Sequence, residues 1–311
     1  MISSVIASAP GSLMLFGEHA VLYGFPAIVA SASVRVTVRA SLRPGGRLRI
    51  HSALGQLDVP LQAAPPPPPE FRFAQPAALE GAAGILDGLE MDIASNAPAT
   101  VGLGTSAAVT VAVLAATKVL RGAAPAPAPL LVTARRIVRA AQGGAGSGAD
   151  VAASLWGGAL YYFQDRDIPE QLPYLPGVRV VYSGYKTPTP EVIRRVAAAR
   201  AAEPARFDRW FEQIGENAAQ AAEAFRRGDG PAVGHLANAA HELMVALGVC
   251  DTELSAIVAA LRATPGICGA KISGSGLGDC AIGFGAGGNY HGPGFPLEVS
   301  LAADGLRWEI A

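Results

Sequence analysis

Lysine is scarce in this chain: among 311 residues only Lys118, Lys186 and Lys271 carry it, and the remaining basic charge is arginine. Charge of either sign is thin, at 16% of residues with a formal net charge of -1, so the basic field that holds a nucleic-acid backbone is missing and such partners are excluded. The three cysteines, Cys250, Cys268 and Cys280, are odd in number and show no Cys-x-x-Cys spacing. That excludes a disulfide framework and a structural zinc site, and they read as small buried apolar residues. No apolar run reaches the roughly 18 residues needed to cross a bilayer, because Gly, Ser, Thr or Arg interrupts each Ala/Val stretch. Residues 1–10 lack the basic start and long apolar stretch of a secretory signal, so the expected setting is cytoplasmic, with no membrane partner.

Half of the residues are apolar, and the length exceeds what one core usually fills, so two domains with a cleft between them are expected. Val34, Val36 and Val38 alternate as in a half-buried strand, and Leu48 and Ile50 continue that style after a Pro-Gly-Gly turn. The run of five prolines at 65–69 reads as a stiff surface connector. Residues 106–120 and 130–142 read as helices, 149–156 as a further helix start and 159–163 as a strand. The texture turns charged and Pro-rich around 165–177, which places the boundary between domains 1–170 and 171–311. Helical spacing then marks 191–203, 207–227, 233–247 and 252–263, with strands at 178–182, 270–272 and 280–284. Such an order suits a sheet with helices on one face.

The segment Pro98-Ala99-Thr100-Val101-Gly102-Leu103-Gly104-Thr105-Ser106-Ala107 places glycines and hydroxyls directly before the 106–120 helix. Glycine lets backbone N–H groups approach a phosphate, and the positive end of the helix dipole adds attraction. Ser106 or Thr105 can also offer a hydroxyl to a magnesium ion that bridges phosphates. A dinucleotide fold would need an acidic residue about 20 positions on, yet no Asp or Glu stands between Asp92 and Asp150. A Walker-type loop needs Gly-Lys, and no lysine here follows a glycine. Asn238 and His241, three apart on one helix, read as satisfied interior polar groups.

Two further segments narrow the reading: Ala9-Pro10-Gly11-Ser12-Leu13-Met14-Leu15-Phe16-Gly17-Glu18-His19-Ala20-Val21-Leu22-Tyr23-Gly24, and Ala270-Lys271-Ile272-Ser273-Gly274-Ser275-Gly276-Leu277-Gly278-Asp279-Cys280. With the phosphate loop between them, they resemble in order the three signature motifs of the GHMP kinases, and the Gly-Glu-His form of the first resembles the mevalonate kinase branch. The resemblance spans residues 9–280. It implies an α+β fold with a ribosomal protein S5 domain 2-like amino-terminal domain and a ferredoxin-like carboxy-terminal domain. It also implies an ATP- and Mg2+-dependent enzyme that phosphorylates a small acidic alcohol, mevalonate first, and it leaves a homodimer open.

Carried over residue by residue, the resemblance puts ATP on Pro98, Gly102, Leu103, Gly104, Thr105, Ser106 and Ala107, magnesium on Ser106, and substrate near Glu18, His19, Ser273, Gly274, Ser275 and Gly276. Asp150, in Ser147-Gly148-Ala149-Asp150, is the implied base that takes the acceptor hydroxyl's proton; a helix N-cap is its competing role. Ser12 stands where the family has a lysine and Arg139 where it has a magnesium-binding glutamate, so Lys186 is expected to supply the missing cation. Asp279, and Gln142-Gly143 before the 146–148 turn, are closer to phosphomevalonate kinase, which is the alternative; a nucleotide-binding regulator without turnover and a related decarboxylase are weaker ones.

Overall fold

The computed structural model of the chain describes residues 2–85, 87–96 and 101–311. Pro98 lies outside the described residues.

The polypeptide opens with the long antiparallel pair β1 (Ser4–Phe16) and β2 (Ala27–Arg43), joined through a short 3-10 turn, Ala20–Tyr23. The chain then adds β3 (Arg47–Ser52), β4 (Gly55–Pro60), α1 (Ala74–Gly81) and β5 (Gly88–Ser95). Next come α2 (Thr105–Leu120), α3 (Pro127–Ala141), α4 (Ala149–Trp156), β6 (Ala159–Tyr162) and β7 (Glu170–Leu172). The second half runs β8 (Val178–Lys186), α5 (Thr189–Ala202), α6 (Pro204–Arg227), α7 (Gly230–Ala246), α8 (Thr252–Ala263), β9 (Gly269–Ser273), β10 (Gly278–Phe284), β11 (Phe295–Leu297) and β12 (Arg307–Ile310).

Two sheets result: one ordered β12-β1-β2-β5-β3-β4, with β6 and β7 branching from β2, and one ordered β11-β8-β10-β9. The last strand returns to the first sheet, where Ile310 pairs with Val5. Helices α1 to α4 cover one face of the first sheet and share its core, with Val5, Ala7, Val36, Val38, Leu48, Ile50, Leu89 and Met91 facing Val111, Leu114, Leu130 and Leu131. Beyond a register shift between Pro10 and Ser12, Leu13, Leu15 and Phe16 of β1 contribute to a second cluster with Ala218, Phe225, Val233, Ile282 and Phe284. That cluster joins the two sheets through α6 and α7. Alternation fades there because the strand is buried on both faces.

Bulging at Gly11 has a local purpose. A side chain there would sit 2.1 Å from the Leu103 carbonyl, which accepts a 2.8 Å hydrogen bond from Ser12 N. Glycine therefore lets the loop before α2 lie directly on β1.

Several sequence expectations shift in detail. The α3 helix begins at Pro127, since proline suits a first helical turn, and β8 extends to Lys186. Strands β7, β11 and β12, of three or four residues, are too short for periodicity to show them. Of the cysteines only Cys280, within β10, is buried; Cys268, in the connection from α8 to β9, is exposed and Cys250, between α7 and α8, is intermediate, which corrects the expectation for those two. No helix among the described residues is long and apolar enough to cross a membrane.

Candidate active site

Two helices start on the same cleft, each from a glycine in the left-handed region: Gly104 (φ 67°) before α2 and Gly148 (φ 85°) before α4. The cleft wall comes from every part of the chain: Ser12, Glu18, His19, Gly102, Gly104, Thr105, Ser106, Arg135, Arg139, Ser147, Asp150, Lys186, Ser273, Gly274, Ser275 and Asp279. Thus most of the residues singled out in sequence converge. Leu103, Ala107 and Gly276 do not reach the wall: Leu103 is in the apolar cluster under β1, Ala107 is buried in α2, and Gly276 packs against the Val249 backbone.

Around Gly104 the approach is close. A Cβ at this position would stand 2.1 Å from Ser12 Oγ, so β1 and the loop are in contact where the helix N–H groups open to the cleft. With a helix dipole behind it, this is a concave donor surface for an anion.

Asp150 is the second residue of α4, not its N-cap, which is Gly148; the capping role set against catalysis is overturned, because the turn begins two residues earlier. Its Oδ1 accepts from Val151 N at 3.0 Å. Burial raises its pKa above the usual carboxylate range, opposed by that N–H and by the positive charge of Lys186. The glycine loop that carries it is tied down by Tyr162, whose hydroxyl donates to Ser147 O at 2.8 Å, and by Arg139, whose Nε donates to Gly146 O at 2.8 Å. A desolvated carboxylate with the cation Lys186 nearby is suited to accepting a proton from a bound hydroxyl.

The Glu18 carboxylate pairs with Lys271, and both side chains are buried, at 3% and 0% exposed. Burial lowers the Lys271 pKa, with Glu18 opposing. His19 sits at φ 60°, an unusual backbone for a residue with a Cβ, and its Nε2 donates to Ser275 O at 2.9 Å. Burial also lowers the His19 pKa, so its imidazole is neutral at physiological pH. The Glu18–Lys271 pair and the His19 bond together staple the first motif to the last across the two domains.

Sequence reading missed three contributions. Arg135 and Arg139, one helical turn apart on α3, both line the cleft, a spacing that could have been read once the helix was recognised. Lys271 stands inside the last motif with no role that its sequence neighbours assign. Asp279, a departure from the mevalonate kinase pattern, places its Oδ2 2.9 Å from Lys186 Nζ. Asn238 is half-buried and satisfied, its Oδ1 accepting from Ala270 N at 3.0 Å away from the cleft, whereas His241 is buried with no partner for its Nδ1 among the described residues, so the expectation of a satisfied pair holds for Asn238 alone.

For a divalent ion, the cleft supplies the Thr105 and Ser106 hydroxyls and the Asp150 and Asp279 carboxylates, all hard oxygen donors. Among the described residues no group of three or more His, Cys, Asp or Glu side chains could cage a metal. Such a donor set fits magnesium, which keeps water and takes substrate phosphates, better than calcium, which wants six to eight oxygens.

Comparison with known proteins agrees with this geometry. The family described as GHMP kinases N terminal domain matches residues 72–158, and GHMP kinases C terminal matches residues 221–287. A Pyrococcus horikoshii protein named mevalonate kinase is 30% identical over 99% of this chain and 99% of its own length. A Pyrococcus furiosus protein of the same name is 33% identical over 89% of this chain and 87% of its own. Among solved structures, L. major mevalonate kinase in complex with R-mevalonate superposes with a TM-score of 0.72 at 27% identity, covering 90% of this chain and 86% of that one. By sequence along its whole length, and by a two-domain fold of mixed helices and sheets, the chain belongs to the GHMP kinase family.

Proposed function

We propose that the protein transfers the γ-phosphoryl group of ATP to the 5-hydroxyl of mevalonate. The observation that carries this reading is the meeting, in one cleft, of an anion-binding helix start at Gly104, a desolvated carboxylate at Asp150, and Lys186, whose charge is felt by Asp150. Relatives named mevalonate kinase along nearly the whole chain support the choice of acceptor. The chain is taken as two units, 1–170 and 171–311, the second returning β12 to the first sheet.

In this mechanism the 102–106 loop and the α2 N-terminus receive the triphosphate. Magnesium, when bound, would neutralise phosphate charge, and Ser106 would be its protein ligand. Lys186 provides positive charge beside the phosphoryl group in flight, in place of a lysine at position 12. Asp150 holds the acceptor hydroxyl and takes its proton, a role that requires it to be ionised. His19, neutral and fixed through Ser275, orients substrate oxygens together with Ser273 and Gly274; the Glu18–Lys271 pair holds that wall in place. Most of the acceleration comes from positioning and charge neutralisation.

One observation favours a second acceptor: Arg135 and Arg139 both line the cleft, each with one guanidinium N–H given to a backbone carbonyl, and phosphomevalonate would bring an extra phosphate to meet their remaining charge. An ADP-release assay with mevalonate, phosphomevalonate, homoserine and galactose tests the assignment. The highest kcat/KM is expected with mevalonate; a higher value with phosphomevalonate overturns it.

A further inference from the structure

Lys186 ends β8 and Asp279 stands at the start of β10, on neighbouring antiparallel strands. Gly278 pairs with Lys186, and the register slips before Cys280. Asp279 occupies this irregularity with φ 73°, a left-handed backbone that residues with a Cβ seldom adopt. Its side chain is 10% exposed, its Oδ2 meets Lys186 Nζ at 2.9 Å, and its buried Oδ1 has no hydrogen-bond partner of good geometry among the described residues. Both oxygens lie against the phosphate loop, since a Cβ on Gly102 would stand 1.7 Å and 1.8 Å from them. Three costs thus coincide in one residue: strained backbone, a desolvated carboxylate, and a negative charge beside a surface built for anions. The cores of the two sheets need none of them.

We infer that Asp279 is a positioning residue for Lys186. Holding the ammonium at 2.9 Å with a carboxylate that itself lies against Gly102, it fixes the lysine beside the phosphate loop. The pair thereby supplies a placed cation that Ser12, with its short hydroxyl, cannot. The lysine side chain is 34% exposed and carries four rotatable bonds; unrestrained, it would sample solvent. This inference rests on the proposed phosphotransfer role of Lys186. A direct magnesium-binding role for Asp279 is the rival.

A double-mutant cycle separates these possibilities. Asp279→Asn retains shape and tolerates the left-handed backbone; Asp279→Gly relieves that backbone altogether and serves if the first variant folds poorly. Lys186→Met is expected to lower kcat about 100-fold, and Asp279→Asn about 10-fold with mevalonate KM within about twofold of the parent. In the double variant kcat should be no lower than in Lys186→Met alone, because the carboxylate acts only through the lysine. Fully multiplicative losses, or a raised magnesium requirement in Asp279→Asn that persists without Lys186, would overturn the inference in favour of an independent role. A parental rate in Asp279→Asn beside a slow Lys186→Met would sink this inference alone. No phosphotransfer by the parent to any acceptor would sink the kinase reading beneath it.

Discussion

Replacing Asp150 by asparagine should produce an enzyme that is inactive and no less stable. The side chain keeps its size and can still accept from Val151 N, a 3.0 Å bond in the parent, so the first turn of α4 persists. What disappears is a charge that burial disfavours. Desolvation, the largest influence on this group, raises its pKa from 3.8, while the Val151 N–H and Lys186 pull it down less strongly. The folded protein therefore holds this proton to higher pH than the unfolded chain does. Stability from this group is full at low pH and declines as pH rises from the unfolded value through the folded one. At neutral pH the ionised carboxylate is a net cost of about 1.4 kcal/mol for each unit by which its pKa is raised. Asp150→Asn removes that cost, so its Tm at pH 7.5 should match or exceed the parent's by a few degrees. In turnover, loss of the base should lower kcat about 10²- to 10⁴-fold, with ATP Kd by calorimetry within about threefold. The parent's kcat/KM should rise with pH through an acid limb lying above the usual carboxylate range, and the variant should lack that limb. A variant that keeps more than about a tenth of the parental kcat, or loses several degrees of Tm, refutes the reasoning.

Gly104→Val should weaken ATP binding at least about tenfold in a variant with unchanged circular dichroism, because a Cβ there meets Ser12 Oγ at 2.1 Å and the backbone stands at φ 67°; equal affinity by calorimetry would make the loop purely structural. Lys271→Met should cost about 3–5 kcal/mol in urea unfolding by leaving Glu18 buried and unpaired, and adding Glu18→Gln should recover most of it. An additive loss in that double variant would show that the two side chains do not act as a pair.

Much of the fold was legible because its signals are local. The valine alternation of β2 and the glycine entries to α2 and α4 depend on neighbours a few residues away. The candidate site was legible where motifs are contiguous, as in Glu18-His19 and the 102–106 loop. What escaped depends on distant pairings. Glu18 and Lys271 meet across 253 positions, and nothing near either residue announces the other. Asp279 reaches Lys186 only because β8 and β10 are neighbours and the ladder slips at Gly278. Short strands such as β12 offer four residues, all exposed, with no buried face to generate a pattern. The arginines of α3 were visible as residues, but their orientation into the cleft follows from how α3 packs on α2 and α4.

The central claim, phosphoryl transfer to mevalonate with Asp150 as base, is tested most directly by 31P NMR of the reaction of ATP and magnesium with mevalonate, run with the parent and with Asp150→Asn. The account predicts stoichiometric ADP and a new phosphomonoester on the mevalonate 5-oxygen with the parent, and no product over the same interval with the variant. ADP formed without a phosphomonoester, or product formed at comparable rates by both proteins, would contradict it.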